Sequence, residues 1–158
     1  MSAAPDLATL YRVEDAVETA WKTVLEADGL TVFKSISDDV LTLPRVDVEC
    51  TLGAPTGHRG QVTPGNFTLD AWTATIRCNI KTKRFESQPE LHQDWLAAVR
   101  LAGQYFEDRF GSAVLPYHAL SMIQESGTER GVDDADDTDF STVQWDAIVS
   151  IRTDAWPS

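Results

Sequence analysis

The 158-residue chain reads as an α+β domain, an antiparallel sheet with two amphipathic helices packed on one face. Three observations predict this class. Two segments place apolar residues at three- and four-residue steps, and several others alternate apolar and polar residues strictly. The alternating segments are grouped along the chain, so the helices cannot serve as regular βαβ crossovers. Hydrophobic residues make up 42% of the sequence and charged ones 24%, which suits one core, and the length suits a single domain over 1–158.

From Leu7 to Ala27, Leu10, Val13, Val17, Ala20, Trp21, Val24 and Leu25 recur at helical spacing, with charged residues mainly between them. Asp28-Gly29 closes this first helix, because glycine accepts the left-handed conformation common at helix ends. Leu30–Ile36 follows as a short β-prone run, then a polar break at Ser37-Asp38-Asp39. Val46, Val48, Cys50 and Leu52 alternate with Asp47, Glu49 and Thr51, the pattern of a half-buried strand. Trp72, Ala74, Ile76, Cys78 and Ile80 repeat it more fully. As consecutive strands are usually neighbours, the two are expected to pair antiparallel.

Ser87-Gln88-Pro89-Glu90 has the form of a capping box with proline in the first turn. A second helix is predicted from there to about Arg109, with Leu91, Trp95, Ala98, Val99, Ala102 and Phe106 as its apolar stripe and Gly111 as its end. Val114–Gln124 contains a further strand, and Val143, Trp145, Ala147, Val149 and Ile151 define the last. Two connections stand out. The stretch 53–66 holds four glycines and two prolines without period and reads as a long loop. The stretch 126–141 is rich in aspartate and reads as a solvated acidic loop. Residues 1–6 read as a flexible N-terminus, with neither the basic nor the apolar region of a signal peptide.

The composition excludes several functions. Twenty-five acidic against thirteen basic residues give a formal net charge of −12, which disfavours wrapping DNA through phosphate contacts or binding an anionic membrane surface. No apolar stretch approaches the roughly 20 residues that span a bilayer. Cys50 and Cys78 have no zinc or redox spacing and fit buried thiols in a reducing compartment, with a cross-strand disulfide as the alternative. His58, His92 and His118 are scattered, and none has a second ligand at metal-binding spacing. No nucleophile elbow and no phosphate-binding glycine motif occurs. The run Asp133–Asp139 suggests calcium, but the EF-hand pattern wants glycine at position six and glutamate at twelve. Counting from Asp134, those places hold Asp139 and Trp145; counting from Asp133, Thr138 and Gln144. No catalytic, cofactor-binding or metal-binding residue is therefore expected.

What remains suits assembly. Long strands in a small sheet leave edges that invite pairing with another chain. The opening helix running into Gly29-Leu30-Thr31-Val32-Phe33, the long strand Trp72–Ile80 before a second helix, and a last strand Val143–Arg152 reached through a polar loop form a sequence of elements. In that order, from Leu7 to Thr153, the chain resembles the tail-terminator (tail-completion) proteins of long-tailed bacteriophages. The resemblance implies a non-enzymatic ring, hexameric in that family, at the head-proximal end of the tail tube. Its partners would be copies of itself, the major tail-tube protein and a head-completion or connector protein. It would be assembled in the host cytoplasm and located in the virion, with DNA passing through unbound. A carboxylate-lined lumen would repel DNA phosphates. Under that reading Asp47 and Glu49, on the exposed strand face, and Asp133, Asp134, Asp136, Asp137 and Asp139 are candidate lumen or interface residues. His58, Arg59 and Gln61 form a candidate interface loop. The alternatives are another neck or tube ring protein of the same virion, and a monomeric α+β ligand-binding domain or enzyme.

Overall fold

The apolar stripe Val13, Val17, Ala20, Trp21, Val24 and Leu25 is one buried face of helix α1, Leu7–Ala27. The computed structural model describes residues 7–34, 43–55, 61–62, 68–83, 89–106, 119–133 and 138–152. Helix α1 ends in a Schellman motif. Gly29 has φ +86°, its N–H donates to the Glu26 carbonyl at 3.0 Å, and the Leu30 N–H donates to the Leu25 carbonyl at 3.3 Å. The buried side chains of Leu30 and Leu25 supply the apolar contact that accompanies this motif. The turn sends the chain into strand β1, Val32–Lys34.

Strands β2 (Arg45–Pro55), β3 (Gln61–Val62) and β4 (Thr68–Lys83) follow, then helix α2 (Pro89–Gln104) and strands β5 (Ala119–Asp133) and β6 (Thr138–Arg152). They form one sheet in the order β1-β2-β4-β6-β5, with β3 paired to β4 beside that path. The expected β2–β4 antiparallel pair is present, with Val46 opposite Ile80, Val48 opposite Cys78 and Cys50 opposite Ile76. Register continues across β6, where Ile76 faces Trp145, Cys78 faces Val143 and Ala74 faces Ala147. Opposite residues share a face, so one alternation repeated on three strands yields one apolar surface. Both helices lie on it, as the α+β reading required.

Three details depart from the sequence reading. The β1–β2 pair is parallel, with Val32 opposite Val46. Alternation fixes which side chains face the core but not strand direction, and the chain between Lys34 and Arg45 is long enough to return along so short a strand. The stretch 53–66 is not wholly loop. Strand β2 runs on to Pro55 past a register shift after Leu52, and Gln61-Val62 pairs with Leu69 and Thr68. The acidic stretch 126–141 is likewise mostly hairpin. Strand β5 pairs with β6 up to Asp133 opposite Thr138, leaving only 134–137 outside the described residues. The polar, glycine-containing composition suggested a loop because this part of β5 lies at the sheet edge, exposed from Gln124 to Arg130, and has no core face to impose apolar alternation. Helix α2 ends at Gln104, with a turn at Tyr105, short of the Arg109 expected, while Ser87 of the capping box and Gly111 lie outside the described residues.

Aromatic rings fasten the two layers. Trp21 of α1 stacks on Phe106, just beyond α2, with centroids 4.1 Å apart and planes at 14°, and lies 5.5 Å from Trp145 of β6. Gly103 of α2 sits against the Trp145 indole so closely that an added Cβ would overlap the ring. The indole is itself held by Trp21 and cannot move aside. Replacing Gly103 by alanine gains about 1 kcal/mol of helix propensity. It also introduces an overlap of a kind that costs about 1–3 kcal/mol or more. Urea unfolding is expected to show a net loss of stability for Gly103→Ala, with an unchanged or more stable variant contradicting the close approach.

Candidate functional site

Glu14 and Glu18 are one helical turn apart on α1, on the flank of the apolar stripe that faces β2. Strand β1 covers only Val46–Val48 of the neighbouring β2 edge. Alternate residues of β2 direct their N–H groups to that edge. The first, Val46, donates to the Thr31 carbonyl at 2.8 Å. Beyond β1, among the described residues, the side chains of α1 take over. The Cys50 N–H donates to Glu18 Oε1 at 3.1 Å, and the Leu52 N–H donates to Glu14 Oε2 at 2.8 Å. Two carboxylates thus stand where the carbonyls of a longer β1 would stand.

The edge opens on a groove of about 470 Å³ lined by Tyr11, Glu14, Asp15, Glu18, Glu49, Cys50 and Thr51. Lys34 of β1 engages the lining residue Asp15, its Nζ donating to Asp15 Oδ1 at 2.7 Å and to Thr19 Oγ1 at 3.0 Å. Tyr11 stands 59% exposed beside it. Burial pushes the Cys50 thiol pKa up, and the carboxylates of Glu14, Glu18 and Glu49 raise it further. A thiol held neutral this way is a poor nucleophile and a poor metal ligand. Cys78 is raised by burial, and the two cysteines are free rather than bridged.

A second polar cluster lies inside. His92 of α2, 5% exposed, bridges Thr82 of β4 and Ser141 of β6, with Nδ1 2.9 Å from Thr82 Oγ1 and Nε2 2.7 Å from Ser141 Oγ. A serine hydroxyl against an imidazole has the makings of a nucleophile and base, but Ser141 is 1% exposed, so no substrate reaches it. The cluster serves as a hydrogen-bonded bolt between helix and sheet. Burial lowers the His92 pKa, Arg130 adds to that, and Asp139 opposes it.

The sequence-derived candidates scatter. Glu49 is exposed and lines the groove. Asp47 does not lie exposed as expected. Its carboxylate sits 3.5 Å from Nε of Arg45, which is 3% exposed and has its guanidinium 5.6 Å from the Phe33 ring centroid. Burial raises the Asp47 pKa most, with Arg45 and Lys81 pulling it down. Asp139 lies in β6 opposite Thr82, on the helix-covered face near His92, and not in a loop. Asp133 ends β5, and Gln61 lies in β3 opposite Leu69. Asp134, Asp136, Asp137, His58 and Arg59 lie outside the described residues. The sequence reading missed Glu14, Glu18 and His92. The visible signal was two acids one turn apart directly beside the apolar stripe.

Among the described residues no group of three or more His, Cys, Asp or Glu is placed to hold a metal ion, and no helix is long and apolar enough to cross a membrane. No family model and no curated protein matches this sequence.

Two outcomes follow from this geometry. Glu18→Ala leaves the Cys50 N–H without its carboxylate in a buried position, a defect of about 1–3 kcal/mol that denaturant unfolding reads directly. His92 is held neutral below its ordinary pKa of 6.5, so its contribution to stability is complete above that pH. That contribution is lost as the pH falls toward the depressed folded value, because the unfolded chain takes up the proton first. Between pH 6.5 and roughly 5, before most carboxylates titrate, His92→Gln is expected to flatten the pH dependence of unfolding. An equal slope in both proteins would remove His92 as its source.

Proposed function

We propose that this chain is a structural ring protein at the head-proximal end of a phage tail, ending the tail tube and joining it to the head connector. The observation that carries this reading is the open sheet edge. Among the described residues, the 15-residue strand β5 is paired on one side only, by β6, and is exposed from Gln124 to Arg130. At roughly 3.3 Å per residue such a strand is about 50 Å long, well beyond the usual 5–6 residues. An edge of this length is a template for another chain, and ring neighbours would cover it.

Other features agree with a protein that works through its surfaces. Leu101 on α2 and Tyr105 just past its end are 56% and 47% exposed. The sheet face opposite the helices presents Glu49, Thr51, Thr73, Arg77 and Asp146 to the outside. The order of elements in tail terminators and the net charge of −12 add to this support. The charge suits a wall past which DNA must slide without sticking. The carboxylates of Glu14 and Glu18 are engaged with backbone and the His92 ring with two hydroxyls, which favours a non-enzymatic role over the ligand-binding or catalytic alternative.

Electron microscopy of particles lacking this protein tests the proposal. Unjoined heads and tails, or tails of uncontrolled length, are the expected outcome, together with a hexameric ring formed alone or on purified tail tubes. Normal, joined particles would overturn it.

A further inference from the structure

We infer that the β2 edge from Cys50 to Leu52 is a strand-addition site for a lysine- or arginine-bearing extended segment of another protein. The edge is built for a ladder but is served by side chains. Cys50 and Leu52 direct N–H groups outward, continuing the series that Val46 begins against β1, and their carbonyls share that edge. A carboxylate side chain can turn away from such a donor as a strand cannot. An incoming strand laid beyond β1 would offer carbonyls to the Cys50 and Leu52 N–H groups and release Glu18 and Glu14 to pair with its own cations. The groove beside the edge has room for side chains, at about 470 Å³.

Charge selects the occupant. Glu14, Asp15, Glu18 and Glu49 line the groove, and of these four carboxylates Asp15 is paired with Lys34. An added strand with basic residues on alternate positions meets opposite charge on the side that holds the caps. A second copy of this chain fits poorly. Its open edge strand β5 carries Glu125, Glu129 and a single base, Arg130, through the exposed stretch, so it lacks basic residues at alternate positions, and the whole chain is at −12. The site belongs to a single protomer and does not depend on ring formation.

The experiment uses the full nitrogen-15-labelled chain and short blocked peptides of alternating Lys and Val, Glu and Val, and Lys and Pro. The Lys–Val peptide is expected to bind saturably, with amide signals of Cys50 and Leu52 moving most and the affinity falling as salt is added. The Glu–Val peptide lacks the charge. The Lys–Pro peptide keeps the charge but loses donors the ladder needs. Both are expected to bind at least about threefold more weakly. Glu14→Gln keeps an oxygen acceptor for the Leu52 N–H and is expected to weaken Lys–Val binding about threefold or more through charge alone. Equal binding of the Lys–Pro and Lys–Val peptides, or shifts centred elsewhere, would overturn the site. So would absence of saturation, or movement of the Cys50 and Leu52 signals when the protein alone is concentrated.

Discussion

The contact among Trp21, Phe106 and Trp145 fixes where everything else can be. A sheet with one apolar face must bury it, and here rings from α1, the end of α2 and β6 meet at one point over that face. Stacked or tilted aromatic pairs contribute about 0.5–1.5 kcal/mol each beyond the area they bury. Their larger effect is geometric. Gly103 lets α2 approach the Trp145 indole without an intervening Cβ, and Trp21 sets the rotation of α1 about its axis. Once that rotation is fixed, Glu14 and Glu18 can only look toward the β2 edge. The edge chemistry is thus a consequence of core packing on the other flank of the same helix.

Strict alternation made the core legible. Val46 to Cys50, Trp72 to Ile80 and Val143 to Val149 each place every second side chain inside, and the three periods specify one another's register. The closing turn of α1 was equally legible, since Gly29 adopts the positive φ its position called for. Strand β5 was hidden for the converse reason. From Gln124 to Arg130 it buries nothing, so no selection for apolar period acts on it, and Gly127 and Gly131 resemble turn residues. Gly131 in fact lies under the Phe140 ring, at 2.7 Å from where a Cβ would stand, so a close contact and not a turn accounts for it. Direction of pairing was hidden too, because a parallel β1 reads the same as an antiparallel one.

The polar positions were the least legible, since a charge in sequence says nothing of the partner that folding brings to it. Asp47 and Glu49 are two residues apart on one strand and look equivalent in the alternation. The first is drawn into a buried pair with Arg45, whose Nη1 finds no hydrogen bond, while the second stands in the groove. Taking both charges from water offsets much of what the pair gains, so Arg45–Asp47 is weak support for stability. His92 shows the opposite arrangement. A neutral ring with a hydroxyl on each nitrogen satisfies both of its polar atoms and carries no charge into the interior.

An exposed strand edge is a hazard that proteins blunt with charge, bulges or cover. The two edges of this sheet are handled differently, and the difference bears on function. Strand β5 has register shifts between Ser121 and Gln124 and between Glu125 and Gly127, and charged residues at Glu125, Glu129 and Arg130 in its exposed length. These are devices against indiscriminate pairing that leave the backbone itself open. The β2 edge uses covalently tethered acceptors, which satisfy the N–H groups outright. A cap of this kind suppresses pairing with any strand that brings only carbonyls, because the exchange of one acceptor for another gains little. A strand that also brings cations gains the released carboxylates as partners, and for it the exchange is favourable. The same two glutamates that protect the edge against neutral or acidic chains therefore make it selective for basic ones.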